Sequence, residues 1–166
     1  MAITTKVFNL FKRNGVLPNA LDGHTLKVSL HTSSYAPNYD THEFYSDLTN
    51  QLAATGNYAT GGEIIGTLTS GVDTAGDFAY LDGDDVLWTA LTPSAAFQYA
   101  AVYDTSDSNR LIFLIDFGAD QDPAGLDFAI TWPAATSGGI MKAAWTMGFS
   151  IPSNDLAENA AVQSVW

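Results

Sequence analysis

The chain has 166 residues, of which 46% are hydrophobic and 12% aromatic, and it contains no cysteine. This composition favours one buried core over disorder, and the lack of cysteine excludes disulfides and thiolate metal sites. Residues 1–27 carry four Lys or Arg against one Asp, whereas the rest carries two basic residues against 17 acids. Because so acidic a body repels phosphate, we expect no nucleic acid partner.

No run of about 18 apolar residues is present, so the sequence predicts no membrane span. The N-terminus lacks the apolar segment of a secretion signal, and we therefore expect a soluble protein made in the cytoplasm. The first 14 residues, with apolar Val7, Leu10 and Phe11, are compatible with a short amphipathic helix or an extended arm.

Residues 25–32 alternate between apolar and polar side chains, which predicts a half-buried antiparallel strand. We expect its core face to hold Leu26, Val28 and Leu30. The same alternation puts His31 on the polar face, and His24 falls in a turn, so both histidines are expected to be exposed to solvent.

Residues 40–56 have the features of a short helix. Asp40 is a suitable N-cap with Glu43 three residues later, and Gly56 is a suitable end. The apolar positions follow at helical spacing, as Phe44, Leu48 and Leu52.

Further strands are predicted wherever apolar residues alternate or form a short continuous run. The clearest candidates are residues 86–90, 97–103, 111–115 and 126–132, and weaker ones are 63–69 and 77–81. The continuous run at 111–115 predicts an interior strand that is buried on both faces, while 140–149 is compatible with a strand or a helix. We expect core positions at Val86, Trp88, Ala90, Leu126, Phe128, Ile130 and Trp132.

Gly, Pro, Asp and Asn separate these segments at short, regular spacing, as in β-sandwiches and jelly rolls. The sequence therefore predicts a mainly β, antiparallel sandwich or jelly-roll-like module with one short helix and extended termini. We expect residues 1–149 to form a single domain that includes an N-terminal arm, and residues 150–166 to form a C-terminal arm.

Candidate catalytic and metal motifs are incomplete. His42-Glu43 lacks the second histidine of a zinc HExxH motif, since position 46 is Ser. Asp116-Phe117-Gly118 matches a kinase tripeptide without the other kinase motifs, and we interpret it as the start of a turn. The acids at 82, 84 and 85 could attract calcium, with Asp120 and Asp122 as a weaker pair, but no Glu closes a calcium loop and Asp-Gly is a common hairpin turn.

Nucleophilic catalysis has no sequence signature here, because no GxSxG turn is present and pairing any Ser with a His would be arbitrary. Paired glycosidase carboxylates stay open as a weak alternative, since their separation is spatial. We expect a protein that is not an enzyme and that uses no metal and no cofactor.

Several motifs occur together and in a fixed order. They are Leu26–Pro37, Asp40–Asn50, the GxYxxGG pattern at Gly56–Gly62, the DDVxWT pattern at Asp84–Thr89, Leu114–Gly118 and Asp127–Trp132. In this order they resemble a family of small structural proteins of tailed-phage virions, over about residues 5–135. The resemblance implies a β-rich, capsid-associated component of the cement or decoration type. It ends soon after Trp132, so residues 140–166 are an extension that it does not cover.

The resemblance implies a cement protein that stabilises the phage head by binding the outer surface of the major capsid protein shell. We expect a homo-oligomer, most simply a homotrimer, with the two terminal segments making shell or intersubunit contacts. The residues predicted to make them are Lys6, Phe8, Phe11, Lys12, Arg13, Ile151, Leu156 and Trp166. The alternative is a tail- or fibre-associated module that binds host carbohydrate by stacking sugars on exposed aromatic rings beside Asp turns.

Overall fold

The computed structural model describes residues 4–8 and 21–144, and the strands within these residues form three antiparallel sheets. In chain order the strands are β1 (Thr4–Val7), β2 (Leu26–His31), β3 (Glu63–Ile65), β4 (Thr69–Asp73), β5 (Phe78–Asp82), β6 (Val86–Leu91), β7 (Phe97–Asp104), β8 (Arg110–Gln121), β9 (Leu126–Ile130) and β10 (Met141–Ala144). The helical segments described between them are short 3-10 turns, including Tyr45–Asp47 and Ala135–Ser137. The predicted mainly β, sandwich-like class is confirmed.

The largest sheet has the strand order β1-β8-β7-β2-β3. Strands β7 and β8 lie inside it, and residues 100–104 and 111–115 are buried whichever face their side chains take. This burial explains the continuous apolar run at 111–115 and confirms the predicted interior strand.

One face of this sheet is covered by the two-stranded ribbon β6-β9. Phe128 of the ribbon packs edge to face on Phe97 and Phe117, with ring centroids 5.0 and 5.7 Å apart. Trp132, just after β9, packs on Phe113 at 6.3 Å. We call this the ribbon face.

The opposite face is covered by residues 32–60, which are rich in Tyr and His. Tyr45 stacks on Tyr103 of β7 with centroids 4.4 Å apart, and Tyr35 contacts Tyr99 edge to face at 5.7 Å. Phe8, which follows β1, meets Tyr39 on this side at 5.5 Å. We call this the tyrosine face.

The third sheet has the strand order β10-β5-β4. The residues before β10 approach β5 closely: Ile140 donates its N–H to the Leu81 carbonyl over 2.7 Å. Gly139 has φ +60°, and a Cβ there would lie 2.4 Å from the Leu81 carbonyl oxygen. Only glycine fits this approach, which fixes where β10 begins.

The predicted helix at 40–56 is wrong, because only Tyr45–Asp47 forms a 3-10 turn and Phe44, not Asp40, precedes it. The segment instead pairs with the end of β2, where Thr32 N–H bonds to the Asn50 carbonyl and Leu52 N–H to the Leu30 carbonyl, each over 3.0 Å. These long-range backbone bonds outweigh the helical spacing of the apolar residues.

Two core positions on the ribbon are also corrected. Ala90 is exposed with φ +49°, and Leu91 takes the inward position because the β6-β9 register shifts between Trp88 and Leu91. Leu126, which pairs with Leu91 past the same register shift, is 72% exposed and not in the core. The other predicted positions on β6 and β9 are buried or half-buried.

Candidate functional site

An apolar groove of about 260 Å³ opens on the ribbon face. It lies between β1, an edge strand of the large sheet, and β9, an edge strand of the ribbon. Neither strand has a second strand neighbour among the residues that the structure describes. We call this site the edge groove.

The edge groove is lined by residues from β1, β8, β9 and the segment that leads into β10. They are Thr5, Phe113, Ile115, Phe117, Ala129, Ile130, Thr131, Trp132, Pro133, Gly139 and Ile140. Strand register explains this set, since Thr5 lies opposite Ile115 and both point to the ribbon face. None of the described residues that line the groove is an acid, a histidine or a lysine, and their only side-chain polar groups are two threonine hydroxyls and the Trp132 indole N–H.

Trp132 is held in the groove wall by the turn that precedes β6. Its backbone N–H donates to the Asp85 carboxylate over 2.8 Å, and its indole N–H donates to the Asp84 carbonyl over 3.1 Å. The Asp84 carboxylate accepts from the Thr67 hydroxyl over 2.7 Å. Two of the acids weighed as calcium ligands therefore have structural partners here, and within residues 4–8 and 21–144 no cluster of three potential metal-ligating side chains is found.

The size and lining of the groove limit its chemistry. Pockets for small-molecule ligands are commonly about 300 Å³ or more and carry several convergent polar groups. At about 260 Å³, this groove has room for one or two large apolar side chains. It can bury apolar groups, but it presents no acid, base or activated nucleophile to a substrate.

A Ser-His pair is present elsewhere, on the tyrosine face. Ser29 and His31, two residues apart on β2, are 2.9 Å apart from Oγ to Nε2, and the other ring nitrogen lies 2.9 Å from the Thr49 carbonyl. Both residues are 0% exposed, so the prediction that His31 faces solvent is wrong. Burial lowers the pKa of His31 to about 4. The ring is neutral at pH 7 and closed to substrate.

The sequence could not have found this pair. Alternation correctly puts Ser29 and His31 on one face of β2, but the cover over that face comes from residues up to 29 positions away. Tyr35 and Tyr45 lie 5.5 and 6.5 Å from the His31 ring. Nothing local in the sequence marks that cover, because it depends on the path of the long segment after β2.

The other histidine and acid motifs also have structural partners. His42 Nδ1 lies 2.9 Å from the Tyr35 hydroxyl, and Glu43 pairs with Arg110. His24 is part-buried and pairs with Asp104 at 2.6 Å, so its predicted full exposure is wrong. These pairs connect the long segment and the strand ends to the large sheet.

Asp116-Phe117-Gly118 lies within β8, and the predicted turn at this tripeptide is wrong. The Asp116 carboxylate accepts from the Gly118 N–H over 2.8 Å and from the Gln98 side chain over 2.9 Å. Gly118 has φ +75°, a conformation that glycine adopts without strain. These local bonds keep β8 in the sheet across an irregular register with β7.

Only two of the predicted contact residues lie in the described part of the chain. Lys6 is in β1, and Phe8 is fully buried in the core. Phe8 thus packs within its own chain and is not available at the surface for a partner. The rest lie outside the described residues: Phe11, Lys12, Arg13, Ile151, Leu156 and Trp166.

The sequence does not predict the edge groove, because four separated segments build it.

No protein-family model, curated protein or solved structure matches this chain. Among the described residues, no helix is long and apolar enough to cross a bilayer.

Proposed function

We propose that this chain is a bacteriophage capsid cement or decoration protein, which stabilises the head by binding the outer surface of the major capsid protein shell. The observation that carries the proposal is the edge groove, an apolar site between two edge strands. Its described lining residues offer no catalytic group. Such a site suits the binding of protein segments, which supply apolar side chains together with backbone hydrogen-bonding groups.

The exposed apolar side chains support a protein-binding role. Ile64 and Val72 are 58% and 69% exposed on β3 and β4, and Leu87 and Leu126 are 55% and 72% exposed on the ribbon. Each of β3 and β4 also ends its sheet. Edge strands that carry exposed apolar side chains are natural sites for pairing with another chain.

Charge supports an outer position on the shell. The net charge of −12 keeps such a body soluble and prevents close approach to packaged DNA, whereas the basic residues are concentrated within residues 1–27. A basic segment that meets an acidic coat surface, with the acidic body turned to solvent, has the complementarity that steers association.

The test is to add the purified chain to heads assembled without it and to reconstruct the particles. We expect copies on the outer surface in a fixed ratio to the coat protein, and heads that withstand higher temperature before they release DNA. The control is the same addition to heads that already carry the chain, where no further binding is expected. Heads that take up no chain at any concentration would refute the proposal.

One observation favours the tail-associated carbohydrate module as a second candidate. Trp132 is half-buried in the wall of the edge groove beside the Asp84-Asp85 turn, which is the arrangement that sugar stacking uses. The groove itself offers few polar side chains for sugar hydroxyls, so we rank this candidate second. A ring of copies at the tail tip, together with glycan binding that Trp132→Ala abolishes, would favour it over the shell.

A further inference from the structure

We propose that the edge groove binds residues 145–151 of a second copy of this chain as an added β-strand. The inference deepens the proposed function by naming a partner for the groove, but it concerns purified protein and can be tested without particles.

The edge groove has the form that an extended segment fits. Its walls are the last strands of two sheets, β1 and β9, and its floor is formed by Phe113, Ile115 and Phe117. A strand laid along such a site gains backbone hydrogen bonds from an edge strand, and the groove has room for one or two of its large apolar side chains. Thr5 and Thr131 at the rim leave room for the polar side chains of that strand.

The sequence directly after β10 has the pattern of a strand that would suit this groove. Residues 145–151 read Trp, Thr, Met, Gly, Phe, Ser, Ile, so that large apolar residues alternate with small ones without a break. This is the period-two pattern of a strand with one buried face. The segment carries no charge, and neither do the groove-lining side chains, so no charged group would be desolvated on binding.

The direction of β10 favours a segment from a second copy. Ile140 lines the groove, and β10 then runs alongside β5 from Met141 to Ala144, four residues that span about 13 Å. The direction is away from the groove. Trp145 follows Ala144 directly, so no residue is available to turn the chain back before the segment begins. Within 145–151 the one Gly, Pro, Asn or Asp is Gly148, and a cluster of such residues begins only at Pro152. Because a segment that starts directly after Ala144 would have to reverse at once to reach the groove of its own copy, we assign residues 145–151 to the groove of a second copy.

The exchange has a consequence for assembly. Each copy donates one segment and accepts one, so the contact is head to tail, and a closed ring of copies would fill every groove. Three copies would satisfy this requirement at a three-fold position of a shell. The body of one copy would then be locked to the next by a strand rather than by a flat surface.

The experiment uses two complementary variants of the full chain. Thr131→Arg fills the groove of one variant from an exposed rim position and leaves its residues 145–151 intact, and Phe149→Ser weakens the segment of the other and leaves its groove intact. Thr89→Arg is the matched control, because Thr89 is exposed on the same ribbon and does not line the groove. Near-UV circular dichroism establishes that each variant is folded.

We expect the wild type and Thr89→Arg to have in solution the mass of at least two copies of 17.7 kDa. Each complementary variant alone should associate at least about 10-fold more weakly. An equimolar mixture of the two should form a one-to-one heterodimer, because the intact segment of one enters the intact groove of the other.

Three results would overturn the inference. The wild type could be monomeric at every concentration, or both complementary variants could associate as strongly as the wild type. The variants could also be monomeric and fail to form a heterodimer when mixed, which would assign the segment to its own copy. Failure of the proposed function is separate from all three, since it would appear as a chain that associates with itself but never with heads.

Discussion

The two faces of the large sheet are closed in different ways. The ribbon face is closed by aromatic and aliphatic packing around Trp88, Phe97 and Phe128, with centroid separations of 5.0 to 6.0 Å. The tyrosine face is closed by side chains that also form hydrogen bonds, such as Tyr58 to Leu30 N–H and Tyr103 to the Gly61 carbonyl. The first face depends on volume, and the second also depends on polar partners such as these, although the buried Tyr45 hydroxyl has none among the described residues. The two faces should therefore respond to different perturbations.

Trp88→Ala should be the most destabilising of these perturbations. Trp88 is 1% exposed and touches rings from both covers of the sheet, Tyr58 at 6.3 Å and Phe128 at 6.0 Å. Removal of a buried Trp leaves a cavity and is expected to lower the free energy of unfolding by about 3 to 5 kcal/mol. Urea denaturation measures this change, and Leu87→Ala, at an exposed position on the same strand, should alter it by less than about 1 kcal/mol.

The tyrosine face should be sensitive to pH where the ribbon face is not. Burial lowers the pKa of His31 from 6.5 to about 4, so the unfolded chain binds a proton more readily than the folded one. The stability from the neutral, buried ring is fully present above pH 6.5 and is lost as pH falls toward 4. From the pKa difference, the loss on going from pH 7 to pH 4 is about 3 kcal/mol.

His31→Gln separates this titration from that of the carboxylates. The variant is less stable at pH 7, because Ser29 and the Thr49 carbonyl lose a well-placed partner, but its stability should fall less between pH 7 and pH 4. The measurement is urea denaturation at several pH values. An equal fall in the variant and the wild type would show that His31 does not carry the pH dependence.

The strands were predictable from the sequence because each needs only local alternation and a turn at each end. Leu26, Val28 and Leu30 are all 0% exposed, as their spacing predicts. The burial of His31 was not predictable, since it depends on which distant segment covers β2. The helix prediction failed for the same reason: apolar residues at helical spacing also suit an irregular segment that pairs with the end of a strand.

The candidate site shows a sharper limit of sequence reasoning. The sequence predicts both the DDVxWT turn and the strand 126–132. It does not predict that Asp84 and Asp85 of the turn hold Trp132 of the strand in place. The edge groove needs β1, β8, β9 and Gly139 together, and their proximity follows only from the strand order β1-β8 and β6-β9. The predicted partner contacts at the termini stay predictions, apart from Phe8, which belongs to the core.

Tyr58→Phe tests whether hydrogen bonds stabilise the cover of the tyrosine face. Strand β3 pairs with β2 only from Leu26 to Val28, and beyond it the Tyr58 hydroxyl accepts the Leu30 N–H over 2.9 Å. The Tyr58 hydroxyl thus accepts the hydrogen bond that a backbone carbonyl would accept if β3 continued alongside Leu30. Its loss leaves a buried N–H without a partner, which should cost about 1 to 3 kcal/mol.

The control for Tyr58→Phe is Tyr80→Phe on β5, a half-buried tyrosine on the small third sheet, where a change below about 0.5 kcal/mol is expected. Amide hydrogen exchange gives a second measurement. In Tyr58→Phe the Leu30 amide should exchange faster, while the amides of β8 keep their protection. Unchanged protection at Leu30 would mean that water or a neighbouring group takes over the phenol's role.

The smallest effect is expected at Asp47, where the structure has a cap that the sequence analysis had assigned to Asp40. The Asp47 carboxylate accepts the N–H groups of Glu43 and Phe44 over 2.8 and 2.9 Å. These two bonds lower the pKa of Asp47, so the cap is intact at neutral pH and is lost as pH falls through that lowered pKa. Asp47→Ala should cost about 1 kcal/mol at pH 7, as the loss of a helix cap does.

Ser46→Ala, at an exposed neighbouring position in the same turn, is the matched control and should leave stability unchanged. The Asp47 turn also positions Tyr45 over Tyr103, so its loss should loosen the cover of the tyrosine face locally. Near-UV circular dichroism of the tyrosines would register this loosening even if the free energy changes little. If Asp47→Ala altered neither signal, stacking of Tyr45 alone would be enough to hold the turn, and the tyrosine face would depend less on polar partners than the comparison of the two faces implies.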